Sequence, residues 1–517
     1  MKIIGFIGLL LLPVFTNCQE SDWRKSDGRI GWGKTISDSR RSQLAGVIGQ
    51  FENKVYALRL DSDAPVVDIL SDSLSILSSF ELDLSYEDKE MRYEGIFLSK
   101  DQLILLSSFY NQKHKKHYLF ARPHDANTLV PGELQKIAEV SDLSRKSSVY
   151  FDHDMSLDGS KILIYYSISI QNIESVRFGF KVLNTNLEEL WEKSTSEPGD
   201  MLLFNPTQIE VANNGNVLVS GTISDRGRGL NESKNKHHIL LYQNAGARKK
   251  DFEIVLEDKF VQQMIFNLDW NNNAYCSGFY TVEPGDKIDG LFYIKINSDE
   301  SEVISKTYHT FSEEFISGNS DSITTSLENK PLVNYRIRDI LIDKSNGIKL
   351  IAEQYYIEVD RTDPYNYQNV RTSRSITHYF FNDILVFNLT EAGDLNWQTR
   401  IRKNQHSTDD GGYFSSFFTT SVDGTTYIMY NESARDFHTS ETYGTLEKSE
   451  KRSEYLVVTR LAENGSFTKR VLLDDEEIDV RVRPKVCVQL DSNSALIYGK
   501  WNKKQRYGRL VFERSDL

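Results

Sequence analysis

The sequence predicts an all-β protein: a single β-propeller of about seven four-stranded blades, alternatively eight, closed by one blade shared between the N- and C-terminal segments. Three observations carry this. From about residue 43 to the end one unit recurs: apolar strand, tight polar turn, apolar strand, polar loop, aromatic and β-branched strand, short turn, fourth strand. Tyr (26) and Phe (27) are plentiful and Pro (10) is scarce, as suits strands. A single unit has an apolar face it cannot bury alone, and a ring of units buries every face while leaving only short edges.

The turn between the first two strands is the clearest marker. It falls at residues 99–102, 157–160, 213–216, 269–273, 343–347, 423–424 and 491–494, each time before an apolar strand. Asn, Asp and Gly tolerate the positive φ of tight hairpins, and Asp158-Gly159, Asn214-Gly215 and Asp423-Gly424 supply it. The third strand is the second marker, at 290–297, 383–389 and 454–461, and polar turns close the last two of these at 391–394 and 463–465. Units repeat every ~50–75 residues, which fits blades with loop insertions. Residues 485–513 read as first, second and third strands of a unit, and 43–82 as later strands. Sharing that blade gives seven; keeping the ends apart gives eight.

The N-terminus points to export. Lys2 is followed by an apolar run from Ile3 to Phe15 and then by Thr16-Asn17-Cys18-Gln19. This reads as a signal peptide over 1–18, too short for a membrane span of ~20 apolar residues. The expected location is periplasmic, cell-surface or secreted. Cys18 stands where a lipoprotein signal carries its lipidated cysteine, although Asn17 replaces the usual small residue. Ordinary cleavage near Cys18 is the equal alternative. Membrane association is expected only through such a lipid anchor. Residues 19–42, with Arg40-Arg41, read as a polar tether, and 43–517 as the propeller domain.

The 517 residues carry a net charge of −13, with 39% hydrophobic and 26% charged residues, which is globular composition. No sustained Lys/Arg face is visible, so nucleic acid is not an expected partner. Cys276 and Cys487 lie in apolar strand patterns and read as buried free thiols, with a disulfide as the alternative. No CxxC suggests zinc or thioredoxin chemistry.

The strand words at 383–386 (Asp-Ile-Leu-Val), 393–397 (Gly-Asp-Leu-Asn-Trp) and 403–405 (Lys-Asn-Gln) resemble those of exported β-propeller-like proteins of Bacteroidota. The resemblance covers most of the mature chain and is structural. It implies a fold and a compartment, and carries over no active site.

No P-loop, GxSxG elbow or HExxH helix is present. The segments 156–159 and 421–424 look like sialidase Asp boxes but lack the residue between Asp and Gly and the closing Trp, so they read as hairpin turns. Residues 269–273 alternate oxygen side chains as a calcium loop does. An EF-hand needs Gly sixth and Glu twelfth, where Ala274 and Tyr280 stand, so a hairpin turn is preferred. His114 and His117, and His237-His238, are too few for a zinc site and read as solvated loop histidines. Asp409-Asp410 and Glu476-Glu477 would point to opposite faces of a strand. No metal and no cofactor is expected.

In an antiparallel four-stranded unit the turns after strands one and three share one end. Loops after strand two and the connections between units share the other. The long insertions at 225–236, 310–334, 361–377, 403–412 and 431–453 all belong to that second end, and loops on a rigid scaffold are where binding residues gather. Segment 361–377 combines Tyr365, Tyr367, Arg371 and Arg374, residue types enriched in interface hot spots; a tolerated insertion is the alternative. The expected function is an exported binding or scaffolding module that recognises an envelope or extracellular protein, peptide or glycan through this end. The alternative is a hydrolase or lyase acting on glycans or peptides, with acidic and histidine residues, His406 among them, at the central mouth. The absence of catalytic motifs favours binding. Carboxylates and His406 converging at the centre would favour the enzyme, and a shallow aromatic surface would favour binding.

Overall fold

The polar turns set the hairpins. All seven turns read from the sequence join the first two strands of an antiparallel sheet. At 423–424, Asp423 and Gly424 have φ of 48° and 86°, the left-handed pair a two-residue hairpin needs. Five others are closed by a side chain: Asp158, Asn214, Asp269, Asp343 and Asp491 each accept, through Oδ1, the backbone N–H two residues on at 2.8–3.0 Å. Asp269 also accepts from the Asn273 backbone N–H and side-chain amide. Its carboxylate is thus spent on its own turn.

The structure, a computed structural model, describes residues 28–512 apart from 40, 62–63, 142, 144–146, 171–172, 195–203, 225–234, 318–330, 363–373, 442–453 and 475–476. Seven sheets have four strands in sequence order. We call them blades 1 to 7: residues 43–81, 92–140, 147–194, 204–254, 260–310, 335–408 and 417–474. Blade 8 is composite. Its first strand is broken into Arg481–Val482 and Val488–Gln489, its second and third are Ser494–Trp501 and Lys504–Phe512, and Gly28–Trp32 completes it from the N-terminal segment.

This is the shared blade the sequence predicts, but its N-terminal contribution differs. Gly28–Trp32 lies antiparallel to the last strand, with Gly28 opposite Phe512 and Trp32 opposite Gly508, and Ile36–Ser37 adds a second contact. Residues 43–82, expected to share the blade, instead form complete blade 1. Residues 28–37, expected to be tether, are sheet. The physical reason is at Gly508, where a Cβ would stand 2.7 Å from the Trp32 ring, so only glycine lets the N-terminal strand approach. Blade 1's own first turn, Glu52-Asn53 (φ 46° and 60°), carries no strong turn residue at Glu52 to announce it.

Eight apolar clusters join the blades, each drawn from two consecutive ones. Blades 2 and 3 share Ile104, Leu119, Phe151 and Ile162. Blades 8 and 1 share Leu496, Tyr498, Val55 and Ala57, and blades 1 and 2 share Tyr56, Val67, Leu103 and Leu105. The chain of contacts therefore returns to its start, and the sheets form a closed ring. Second strands are apolar almost throughout because both faces are covered: in Asn273–Thr281 every residue but the first is buried. Fourth strands such as Glu302–Thr310 lie outermost and alternate with solvent.

First strands of successive blades approach one another at the axis. No backbone ladder joins them, so polar side chains satisfy their edges. Gln208 pairs with both backbone groups of Phe266, donating at 2.6 Å and accepting at 3.2 Å. Gln263 accepts from Ile337 N–H at 3.0 Å, Asn267 donates to Ile340 C=O at 2.6 Å, and Asp154 accepts from Val211 N–H at 3.1 Å. These polar residues of the inner strands are there because the ring leaves those edges unpaired.

Candidate functional site

Antiparallel order puts the strand ends that flank the long segments at one end of the ring. At that end blade 6 stands out. Its second, third and fourth strands, Ile348–Thr362, Arg374–Leu389 and Leu395–Thr408, run 15, 16 and 14 residues. At about 3.3 Å per residue the extra length lifts a three-stranded arm roughly 15–20 Å above its neighbours. Lys403 to Thr408, expected to be part of a connecting loop, is the outer strand of this arm.

One face of the arm carries a cross-strand ladder of Tyr356, Phe380 and His406, with ring centroids 4.6 and 4.7 Å apart. His378 sits beside it, with Nδ1 2.9 Å from His406 Nε2. The other face carries Tyr355, Ile357, Val359, Tyr379 and Phe381, and Ile357 and Val359 are about half exposed (48% and 51%). Tyr365, Tyr367 and Arg371 lie outside the described residues. Arg374 pairs with Thr362 at the start of the third strand, and its side chain lies outside the described residues. Cys18 also lies outside them.

Beneath the arm, residues 409–416 strap blade 6 to blade 7. Four of them are left-handed: Asp409, Gly411, Gly412 and Ser416, at φ 53°, 67°, 66° and 73°. At Asp409 and Ser416, which are not glycine, such a conformation persists only when neighbours enforce it. Asp409 accepts from Thr377 N–H at 2.9 Å, and Asp410 from Gly412 N–H at 2.8 Å and Ser407 Oγ at 2.6 Å. Ser416 N–H donates to Gln405 Oε1 at 2.8 Å, and its hydroxyl to Glu353 Oε2 at 2.8 Å. A Cβ on Gly412 would meet the Phe381 ring at 2.2 Å.

A buried ion pair anchors the strap. Lys403 Nζ donates to Glu353 Oε1 (2.8 Å), Phe381 C=O (2.7 Å) and Gln405 Oε1 (2.9 Å), which uses all three ammonium protons. Arg338, on the first strand Tyr335–Ile342, donates Nε and an NH2 to Glu353 Oε2 at 3.0 and 2.7 Å. Burial works to raise the Glu353 pKa, but the charges of Lys403 and Arg338 outweigh it and hold the carboxyl below its ordinary value.

Pro484 then places a further cation. It has no N–H to give a ladder, so the first strand of blade 8 breaks into a 3-10 turn, Pro484–Val486. The turn carries Lys485 against blade 6: its Nζ donates to Gly412 C=O at 3.0 Å and lies 4.2 Å from the Phe381 ring centre. Arg483 caps Tyr413 at 4.2 Å, Arg481 caps Phe414 at 5.0 Å and Arg338 caps Tyr355 at 5.4 Å. The rings touch in pairs, Tyr355 with Phe381 at 4.7 Å and Tyr413 with Phe414 at 4.8 Å. Trp501, 53% exposed, ends the neighbouring strand with its ring 6.4 Å from Phe414. The result is a basic and aromatic surface at the junction of blades 6, 7 and 8.

Its charge is unbalanced. Among the described residues neither Lys485 nor Arg483 makes an ion pair; their donors go to the backbone carbonyls of Gly412 and Leu44. Glu353 contacts only Arg338 and Lys403, and acts on Lys485 at longer range, as does Asp410. Lys485 keeps its surface open to solvent, but dense surroundings and the Arg338 and Arg483 charges lower its ammonium to about 8.

The histidines fall elsewhere. His406 is on the outermost strand of its sheet, not at the central mouth, because the arm's long strands carry it outward. With Asp410, Glu432, Asp436, Glu454 and Arg481 it lines a cleft of about 270 Å³ between blades 6 and 7. Glu432 pairs with Lys469 and Glu454 with Arg481. His117 and His238, expected in solvated loops, are buried on strands. His117 bonds Ser108 Oγ at 3.0 Å and His238 Nδ1 lies 2.8 Å from Asp251 Oδ1. Three carboxyls on inner strands are raised: Asp154 and Asp339 by burial, and Glu210, to about 8, by burial and by Asp154. Cys276 and Cys487 are free thiols.

The basic and aromatic surface has no signature in the sequence. Lys485, Arg338 and Tyr413 are distant along the chain, and each follows an ordinary strand or turn pattern. Pro484 inside a strand pattern is the single local signal.

A closed ring of radially arranged four-stranded sheets, its last blade completed by both ends of the chain, makes this a β-propeller protein. No protein-family model and no curated protein matches the chain. Solved structures similar to it include the WD40 domain of SCAP from fission yeast, at 8% identity and a TM-score of 0.38 over 94% of this chain and 99% of that one. The β-propeller domain of the Trilobed protease from Pyrococcus furiosus is similar at 8% identity and 0.34, over 84% and 97%. Prolyl oligopeptidase B from Galerina marginata is similar at 8% and 0.40, over 90% of this chain and 55% of that one. The fold assignment rests on the strand order and ring closure above.

Proposed function

We propose that the protein is an exported binding or scaffolding propeller that recognises an envelope or extracellular protein, peptide or glycan through its loop-rich end. The observation that carries this reading is the basic and aromatic surface beside the blade 6 arm. Cations there sit on ring faces, and a strained strap is held from below by a fully buried ion pair. Structure of this kind stores energy in a surface feature, which a merely tolerated insertion does not require. Export is supported by the apolar run from Ile3 to Phe15 and by the strand words similar to exported propellers of Bacteroidota.

The hydrolase or lyase alternative looks for acids and His406 at the central mouth. His406 instead shares an outer cleft with Asp410, Glu432, Asp436 and Glu454, where Asp410 is bonded to Ser407 and Gly412 and the two glutamates are paired with Lys469 and Arg481; at the axis, Asp154 is bonded to the next strand's backbone and Glu210 to Gln208. Binding is therefore the preferred reading. Its test is capture of ligands from the producing cell's envelope, with the intact protein and a folded variant shortened across 361–377 and 431–453. A ligand retained only by the intact protein supports the reading. Equal capture by both baits removes it.

A further inference from the structure

The charge imbalance at the junction of blades 6, 7 and 8 suggests what the surface takes. A chain of net charge −13 brings the charges of Arg338 and Arg483 to bear on Lys485, while the nearby carboxylate, Glu353, is already engaged by Lys403 and Arg338. Like charges gathered in a partly enclosed place repel, and the arrangement is relieved by an anion. Rings rather than carboxylates hold Lys485 and Arg483, so their charge stays available.

The form of the anion follows from what surrounds it. Strand addition by a peptide needs a free backbone edge. The bordering strand Tyr335–Ile342 has its edge occupied, since Gln263 binds Ile337 N–H and Asn267 binds Ile340 C=O. What the surface offers is side chains alone: guanidinium and ammonium groups for a carboxylate, and flat rings, with Trp501 outermost, for the C–H face of a sugar. We propose that the cluster of Lys485, Arg483 and Arg338 binds the carboxylate of a uronate-bearing glycan, with Trp501 and Tyr413 flanking the sugar ring. This rests on the binding reading above and names its ligand class.

Lys485 gives the proposal a separate readout. The groups facing it are Arg338 and Glu353 of blade 6, Asp410 of the strap and Arg483 of its own turn. A bound carboxylate raises its proton affinity, so binding near pH 8 takes up protons.

The test is titration calorimetry of the full mature chain with trigalacturonate, its methyl ester and triglutamate, in two buffers of different ionisation enthalpy at pH 8. Wild type, Lys485→Met and Arg483→Met are compared after thermal melting shows each to be folded. The expected result is trigalacturonate binding with proton uptake, weakened about tenfold or more by methyl esterification and by each substitution, with uptake absent in Lys485→Met. Three results overturn the proposal. The first is no trigalacturonate binding to folded wild type, or binding that Lys485→Met leaves unchanged. The second is equal binding of the ester, which removes the carboxylate's role. The third is tighter binding of triglutamate, which makes the ligand an acidic peptide. Envelope capture decides the broader binding reading independently.

Discussion

Lys403 Nζ lies 2.8 Å from Glu353 Oε1, and neither side chain is exposed to solvent. The pair joins the second and fourth strands of blade 6 and, through Ser416, fixes the strap to blade 7. Without Lys403, Glu353 keeps only the partly exposed Arg338 as counter-charge, and Phe381 C=O and Gln405 Oε1 lose their buried donor. Lys403→Met is expected to lower unfolding free energy by about 3–5 kcal/mol, and adding Glu353→Gln should restore part of the loss. Urea unfolding of the two single variants and the double variant measures the coupling, and additive effects would show that the pair does not act as a unit.

Glu210 predicts a pH dependence. Its folded pKa is raised to about 8 from 4.5. Below pH 4.5 both states are protonated. Between 4.5 and 8 the unfolded carboxyl ionises while the folded one retains its proton, so the stability it contributes is lost as pH rises through that window. Glu210→Gln should be near neutral at pH 4.5 and more stable than wild type by about 2 kcal/mol at pH 8. Melting curves across that range read the difference, and a gap that does not grow with pH contradicts the prediction.

Lys485 has the opposite form. Its ammonium is lowered to about 8 from 10.5, so the charge is costly below pH 8, and stability rises as pH climbs from 8 to 10.5. Without ligand, Lys485→Met should melt higher than wild type at pH 7, by at most about 1 kcal/mol after solvent screening. The advantage should fade by pH 10.5.

The N-terminal strand closes the ring. Starting the chain at residue 43 removes Gly28–Trp32 and Ile36–Ser37 and leaves the edge of Lys504–Phe512 unpaired. An open edge both weakens blade 8 and invites pairing with another chain. The truncated protein should melt lower and form larger species at high concentration, seen by size-exclusion chromatography with light scattering. An unchanged, monodisperse melt would show that closure does not depend on this strand.

Local rules made the hairpins legible. Asp158, Asn214, Asp269, Asp343 and Asp491 announce their turns because a short oxygen side chain captures its own backbone, an interaction complete within a few residues. Apolar runs on either side of those turns gave the strands, and the turn spacing gave the loop-rich end. Where turn chemistry is weak, as at Glu52-Asn53, the reading slipped. Residues 43–82 looked like half a blade, and residues 28–37, short and Gly-containing, looked like tether.

The sequence by itself determined the repeated four-strand unit, the need for a closed ring and the end at which insertions gather, because each follows from periodicity and chain direction. Only the tertiary structure decided which N-terminal strand completes blade 8, since that depends on Gly508 letting Trp32 approach from the far end of the chain. Only it gathered Lys485, Arg483, Arg338, Tyr413 and Trp501 into one surface. Their partners lie across blade boundaries, where contact is set by the packing of sheets around an axis and leaves no period in the chain.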